Sequence, residues 1–300
     1  MEEVKSMILN VSGRTDIVAF YSKWFMNRYN EGFVDVRNPI YPKLVSRIYF
    51  ENVDAIMFCT KNPLPILNDL KKINKPIIFH VTLTPYKKDI EPNVPSKKEI
   101  IEAIKKISDI VGIDNLYIRY DPIFLNEHYT LDYHRVAFER MCSLLSGYVN
   151  KIIISFIDVY KNVKRNAHIL NIKPFTNSDY EIIGKSFSKI ASSYGMTVQT
   201  CFENNNLVEY GFIKGECLSQ EVAYKLTHKK YKKWTARRGG KCGCVEMVDI
   251  GAYNTCSHFC RYCYANFDEK KVKTNIREHN PNSSLLIGEL KEDDIIKERK

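Results

Sequence analysis

Seven of the nine cysteines in this 300-residue chain fall between positions 201 and 263, with only Cys59 and Cys142 outside that stretch. Cysteines used as small core hydrophobes are dispersed, so such crowding points to metal chemistry. The sharpest group, Cys256-Ser257-His258-Phe259-Cys260-Arg261-Tyr262-Cys263, reads C-x3-C-x2-C. Three thiolates on one tight loop can hold three irons of a [4Fe–4S] cube and leave the fourth open to an exchangeable ligand. A tetrahedral zinc on Cys256, Cys260 and Cys263 with His258 or another cysteine is the alternative, although the spacing departs from paired C-x2-C knuckles. Upstream, Cys201, Cys217, Cys242 and Cys244 are four thiolates. That is the number needed to saturate a second, auxiliary [4Fe–4S] cluster, able to relay electrons or anchor a substrate. A structural zinc suits the same four, and Cys201 could instead be a buried core residue.

These residues need a scaffold. Short apolar runs alternate with amphipathic stretches, the signature of repeated βα units. Strands are predicted at 8–11, 55–59, 77–83, 116–120, 151–156, 197–201 and 245–250. Helices are predicted at 18–29, 65–72, 97–111, 131–145, 177–193 and 220–226. The continuous apolar runs suit buried parallel strands. The expected fold is α/β, a parallel (β/α) TIM-type barrel over residues 1–267, complete or lacking a unit, that carries the cysteine-rich loop (242–263) near its C-terminal end. Residues 268–300 form a charged tail that wraps the barrel or frays. A dinucleotide-type Gly-x-Gly-x-x-Gly and a P-loop are both absent.

In parallel barrels function gathers at the C-terminal ends of the strands. There the chain carries Ser12-Gly13-Arg14-Thr15-Asp16, Thr60-Lys61-Asn62-Pro63, Thr84-Pro85-Tyr86, Arg119-Tyr120-Asp121-Pro122, Ser155 with Asp158, and Glu203-Asn204. Thr15 and Asp16 are equally good helix caps. Arg14, Lys61 and Arg119 are pocket candidates, because a buried cation needs a partner or a ligand. Asp121 and Asp158 either share that pocket or pair with its cations. His80 is expected to be a hydrogen-bonded core residue, and Tyr133, His134 and Arg135 to lie on the surface of a helix start.

At 44% hydrophobic and 27% charged residues the composition is that of a globular protein. The apolar runs are too short to cross a membrane. The acidic opening Met1-Glu2-Glu3 lacks the marks of a signal peptide, so a cytoplasmic protein with reduced thiols is expected. The net charge of +10 permits an anionic partner. The densest basic run, His228-Lys229-Lys230-Tyr231-Lys232-Lys233-Trp234 with Arg237-Arg238 and then Gly239-Gly240, could grip phosphates and stack bases. It could equally be a solvated loop, or offset the charge of thiolate-bound clusters.

The cysteine loop, its preceding strand, the turn Gly251-Ala252-Tyr253-Asn254 and the aromatic Tyr262 before the last cysteine together resemble the cluster loop of the radical S-adenosylmethionine (SAM) superfamily. The resemblance implies an open iron that chelates the amino and carboxylate groups of SAM. It further implies an electron that cleaves a C–S bond to give a 5′-deoxyadenosyl radical, with Tyr262 beside the adenine. The position of the loop departs from the usual pattern, in which it follows the first strand. In a circularly permuted barrel the 245–250 strand would take that role. Ser12, Arg14 and Asp16 would then follow the next strand in space, where the family binds SAM's amino group, although no Gly-Gly-Glu motif is present. Nearly the whole chain is also similar to an uncharacterised bacterial family, domain of unknown function 1848, thought to be radical-SAM-like. That similarity runs through Ser12-Gly13-Arg14-Thr15-Asp16-Ile17, Thr60-Lys61-Asn62-Pro63, Arg119-Tyr120-Asp121-Pro122-Ile123 and Ser155-Phe156. It continues through Cys242-Gly243-Cys244 and Asp249-Ile250-Gly251 to Cys263-Tyr264-Ala265-Asn266.

The resulting expectation is a radical SAM-type enzyme fed by a reducing electron donor. Its radical would abstract hydrogen from a small-molecule or anionic substrate held by Arg14, Lys61, Arg119, Asp121 and Asp158. Three other readings stay open: a zinc-bearing nucleic-acid-binding protein, a metal-dependent barrel hydrolase using His80 with Asp and Glu, and an electron-transfer protein with both clusters fully ligated.

Overall fold

In the computed structural model, which describes residues 7–201, 203, 205, 207–235 and 242–299, the apolar runs form strands and the amphipathic stretches their helical cover. Asn204, Arg237, Arg238, Gly239 and Gly240, singled out above, lie outside the described residues. The strands are β1 (Met7–Val11), β2 (Phe33–Arg37), β3 (Leu44–Tyr49), β4 (Val53–Thr60), β5 (Ile77–Thr82), β6 (Leu116–Ile123), β7 (Lys151–Phe156), β8 (Thr197–Cys201), β9 (Ile213–Gly215), β10 (Met247–Asp249) and β11 (Ile295–Glu298). The helices are α1 (Ile17–Phe20), α2 (Ser22–Glu31), α3 (Lys97–Val111), α4 (Leu131–Leu145), α5 (Lys161–Arg165), α6 (Ala167–Leu170), α7 (Asn177–Ser193), α8 (Gln220–Thr227) and α9 (Glu269–Arg277).

Eight strands pair in parallel in the order β10-β1-β4-β5-β6-β7-β8-β9. The strand that comes last in sequence is thus first in space. Alternate residues point to opposite faces. Leu9, Ile56, Phe58, Phe79, Ile118, Ile152, Ile154 and Val248 belong to the large core that includes the helices. Ile8, Ala55, Met57, Ile78, Tyr117, Ile153 and Met247 face the other way, into one small cluster with Leu218, Ala223 and Val245. Side chains from six neighbouring strands can share so small a cluster only if the sheet curls around it. The curl does not close into a TIM-type barrel: among the described residues, β10 and β9 are free edges of an open sheet. Both edge strands have only three residues, and the connection between them fills the gap instead, Val245 N–H bonding to the Leu218 carbonyl at 3.1 Å.

α3, α4 and α7 have the bounds the periodicity predicts. Capping boxes start α3 (Ser96 with Glu99) and α7 (Thr176 with Asp179), and Ile100, Ile101, Ala103, Ile104 and Ile107 form the buried face of α3. The single helix expected at 18–29 is broken at Tyr21, where the Ser22 hydroxyl bonds back to the Val18 carbonyl and competes with the helical ladder. The helix expected at 65–72 is two single 3₁₀ turns, Leu64–Ile66 and Leu70–Lys72. A second sheet, β11-β3-β2, is absent from the expected strands. In it β11 runs parallel to β3, and Arg37 pairs with Asp294 at 2.5 Å. Among the described residues no helix is long and apolar enough to cross a membrane.

Gly184 shows how closely α7 packs, because a Cβ there would lie 2.3 Å from the Tyr210 ring. Gly184→Ala should therefore lower thermal stability by about 1–3 kcal/mol through overpacking. In a Tyr210→Ala background the same change should be neutral or stabilising, since alanine favours helix. Thermal unfolding of the four proteins checks this, and a Tm raised by Gly184→Ala alone would contradict the packing.

Candidate functional site

Three strand ends meet at the cysteine loop. Asp249, the last residue of β10, accepts from Asn10 Nδ2 (2.9 Å) and Gly13 N–H (2.6 Å) on one oxygen. Its other oxygen accepts from Ser12 Oγ and Gly251 N–H, both at 2.8 Å. These bonds tie the strand that launches the loop to the end of β1. A Cβ at Gly251 would lie 2.0 Å from Ser12 Oγ, so only glycine fits there. Asp16 makes the second tie. Its Oδ1 caps α1 through Ala19 N–H (2.9 Å) and accepts from Thr60 Oγ1 (2.7 Å). Its Oδ2 accepts from Lys61 N–H (2.8 Å) and lies 3.0 Å from His258 Nε2. Ser12 and Asp16, expected to contact a cofactor, have their polar atoms hydrogen-bonded within the protein and stand beside the cysteine loop.

Asparagines shape the loop. Asn254 and Phe259 take left-handed backbone angles (φ 57° and 53°), and Asn254 Oδ1 accepts from the N–H groups of Phe267 (2.7 Å) and Asp268 (3.0 Å). Asn266 Nδ2 donates to the Cys256 carbonyl at 2.6 Å. Asn162, on α5, donates to the carbonyls of Cys263, Tyr264 and Asn266, and Asn93 to that of Ser257 at 2.8 Å. Inside this frame the thiols of Cys256, Cys260 and Cys263 act on one another, and burial pushes all three above the ordinary thiol pKa. They are therefore protonated at neutral pH, and a metal taking them as thiolates must release those protons.

Behind Cys260 lies a buried charge cluster that no sequence pattern announced. Glu91 Oε1 accepts from Lys61 Nζ (2.9 Å), Thr84 Oγ1 (2.6 Å) and the Tyr262 hydroxyl, while Oε2 accepts from Lys97 Nζ (2.6 Å). Burial works to raise the Glu91 pKa, but the two lysines outweigh it and hold the carboxyl well below the usual range. Two lysines against one carboxylate leave one positive charge in excess, and both lysines act on Cys260 to favour its thiolate. Lys61 Nζ also stands 5.4 Å from the centre of the Tyr262 ring. Lys61 is thus engaged at the cysteine loop through Glu91 and Tyr262.

The four upstream cysteines gather at the inner face of the sheet as one packed group. Cys201 Sγ and Cys217 Sγ lie 2.8 Å apart, and hydrogen bonds link Cys217 to Cys244 and Cys244 to Cys242. Cys217 is the member held toward its thiolate, by the hydrogen bonds from Cys201 and Cys244 and by the Arg119 guanidinium. Two ligands of one tetrahedral zinc stand about 3.8 Å apart, so the closest pair must spread to share a metal. Among the described residues no set of three or more His, Cys, Asp or Glu side chains is already spaced to hold a metal ion. What fits a metal at either group is the all-thiol donor set and the cation beside it.

Arg119 and Asp121 pair on β6, and Ser155 on β7 donates to the second oxygen of Asp121. His80, on neighbouring β5, is fully buried as expected, but among the described residues neither ring nitrogen has a hydrogen-bond partner. Burial and the Arg119 charge lower its pKa to about 3, so the ring is neutral. His134, expected at the surface, is buried and bonded to Tyr120 and Phe124, because the first turn of α4 packs under the sheet end. Arg14 lies at the rim, 27% exposed, over the Tyr253 ring and 3.9 Å from Asp249. Asp158 is exposed and accepts from the Tyr160 hydroxyl. The basic run is anchored rather than extended, with Lys229 and Tyr231 both bound to Asp54. A cavity of about 1260 Å³ opens at the opposite end of the sheet, among Ile77, Tyr117, Lys151 and Thr197, where those strands begin.

A family model described as "Domain of unknown function (DUF1848)" matches residues 8–265, from β1 to just beyond the cysteine loop. No curated protein matches the chain.

Glu91→Gln leaves the largely buried Lys61 and the partly exposed Lys97 without their buried counter-charge and should cost about 3 kcal/mol. A carboxyl whose pKa is depressed by folding binds its proton more readily in the unfolded chain. Its contribution is therefore complete above its ordinary 4.5 and lost as pH falls below that value. Denaturant unfolding between about pH 7 and pH 3 should show the advantage of the wild type over the variant shrinking with falling pH. An advantage independent of pH would sink this assignment.

Proposed function

The chain belongs to the DUF1848 family, a membership that brings no activity with it, and from its site we propose that it is a radical SAM-type iron–sulfur enzyme acting on a small-molecule or anionic substrate. The observation that carries this reading is the surplus positive charge around the buried Glu91 carboxylate, beside three thiols on one loop. Conversion of the Cys256, Cys260 and Cys263 thiols to metal-bound thiolates would balance that charge. The donor set suits a cube with one open iron. The topology supports the same reading. The loop follows the strand that heads the sheet, and the ends of β1 and β4 lie beside it. The open sheet then reads as an incomplete (β/α) barrel, circularly permuted relative to the usual radical SAM arrangement.

When bound, such a cluster would hold SAM at its open iron and supply the electron that breaks a C–S bond, giving a 5′-deoxyadenosyl radical for hydrogen abstraction. The protein's own contributions follow from its side chains. Tyr262, pinned through its hydroxyl to Glu91, presents a fixed ring suited to the adenine. Arg119, Asp121 and Ser155 form an inward-facing polar set for orienting a substrate, and Arg14 offers a guanidinium at the rim to an anionic group. Asp158 could meet a substrate only at the exposed edge. Cys201, Cys217, Cys242 and Cys244 would hold an auxiliary [4Fe–4S] cluster, with structural zinc as the alternative. An external donor must supply the electron, and a reducing compartment such as the cytoplasm suits the thiols.

Anaerobically reconstituted protein should contain about eight irons per chain, from two four-iron cubes. The EPR spectrum of the reduced protein should shift when SAM is added, and 5′-deoxyadenosine should be released under reducing conditions. The combined variant Cys256→Ala, Cys260→Ala, Cys263→Ala should lose about half the iron and the whole SAM response. Zinc in place of iron would end this reading and favour a zinc protein that binds nucleic acid. Iron without a SAM response would favour electron transfer.

A further inference from the structure

Two polar side chains on neighbouring strands, Arg119 and His80, face inward near Cys217 on the floor of the curled sheet. Arg119 donates from Nη1 to Cys217 Sγ at 3.0 Å. Its remaining guanidinium edge is held by Asp121, 2.9 Å from Nε, and Asp121 is held in turn by Ser155. The guanidinium is therefore fixed in plane, with one N–H pair left for sulfur. His80 lies one strand away, since β5 pairs with β6 so that Thr82 is opposite Arg119 and His80 opposite Tyr117. Residues 80 and 119 share the inward face, and the charged neighbours that bear on His80 are first Arg119 and then Cys217. The ring is wholly buried and, among the described residues, neither nitrogen has a hydrogen-bond partner. Buried polar groups are ordinarily satisfied, so an orphaned donor beside a sulfur cluster points to an acceptor there. A thiolate-ligated group is such an acceptor, because hydrogen bonds to its sulfurs favour its more electron-rich state.

We propose that His80 and Arg119 are positioning residues that donate to the sulfur ligands of the four-cysteine group and raise the reduction potential of the iron–sulfur cluster it holds. The inference rests on the iron–sulfur reading of Cys201, Cys217, Cys242 and Cys244. It gives Asp121 and Ser155 the task of aiming Arg119 at that group, in addition to facing a substrate.

The test uses the full chain carrying Cys256→Ala, Cys260→Ala and Cys263→Ala, so that only the inner group contributes, reconstituted anaerobically and titrated by EPR against redox mediators. His80→Leu and Arg119→Met should each move the midpoint to more negative potential by a tenfold change in the one-electron equilibrium, 59 mV. His80→Gln and Arg119→Lys, which keep an N–H donor, should restore part of that shift. An unchanged midpoint in the Leu and Met variants overturns the proposal. So does loss of iron from those two alone while the Gln and Lys variants load fully at the wild-type potential, since that outcome makes the residues structural. Zinc at the inner group in otherwise wild-type protein overturns the iron–sulfur reading of these four cysteines as well, and leaves the SAM response of the outer loop to its own measurement.

Discussion

The pairing of the last sheet strand with the first is the constraint on which the rest depends. β10 has only three residues, too few to hold a strand by backbone bonds alone. The Asp249 carboxylate supplies what the ladder lacks by taking donors from Asn10, Ser12 and Gly13 on the β1 side and from Gly251 on its own. Charge-assisted bonds of this kind are stronger than neutral ones, and here they converge on the point where the cysteine loop departs. Asp16 extends the same logic one strand further, joining the start of α1, the end of β4 and His258 within the loop. The loop is thereby referenced to three strands at once.

Both cysteine groups are largely buried, with Cys201, Cys260 and Cys263 partly exposed, and each has a cation beside it. The outer loop faces Lys61 and Lys97, which share one carboxylate, and the inner group faces Arg119, which is paired with Asp121. The choice of cation follows the geometry. Lysine serves as a point charge behind a loop, whereas the planar guanidinium can bond a carboxylate along one edge and a sulfur from the other. The outer thiols are framed by backbone and asparagine amides, which set shape without adding charge. The inner thiols lie against the sheet floor, where Arg119 donates directly to Cys217 and His80 faces the same way from the next strand. A loop built for exchangeable ligation and a site built to stay closed would differ in this way.

Much of this was legible in the chain. Buried parallel strands must be apolar on both faces and their crossover helices amphipathic, so β1, β4–β8 and the helices α3, α4 and α7 stand out. The crowding of cysteines needed no fold to be seen. Other features left no local signal. Glu91 sits in a turn among prolines with nothing to mark it as the partner of Lys61 and Lys97, residues 30 and 6 positions away. β2 and β3 carry mixed burial and a polar face, and β11 is exposed along its length, so none shows the periodicity of a core strand. The ties that Asp16 and Ser12 make to His258 and Asp249 could not be read either, because polar residues at strand ends bind ligands and bind protein by the same chemistry.

What the sequence determined by itself was therefore chemical and local: thiols in two groups, an α/β pattern, and polar residues where parallel strands finish. Tertiary structure alone decided that the sheet stays open, that its final strand leads the row, and that the lone pairs of Asp16, Glu91 and Asp249 are used by the protein. The physical reason is range. Helical and strand periodicity arise from neighbours a few residues apart, but a buried charge is satisfied by whatever partner the fold brings within about 3 Å. For Asp249 that partner lies more than two hundred positions away, at the other end of the matched domain.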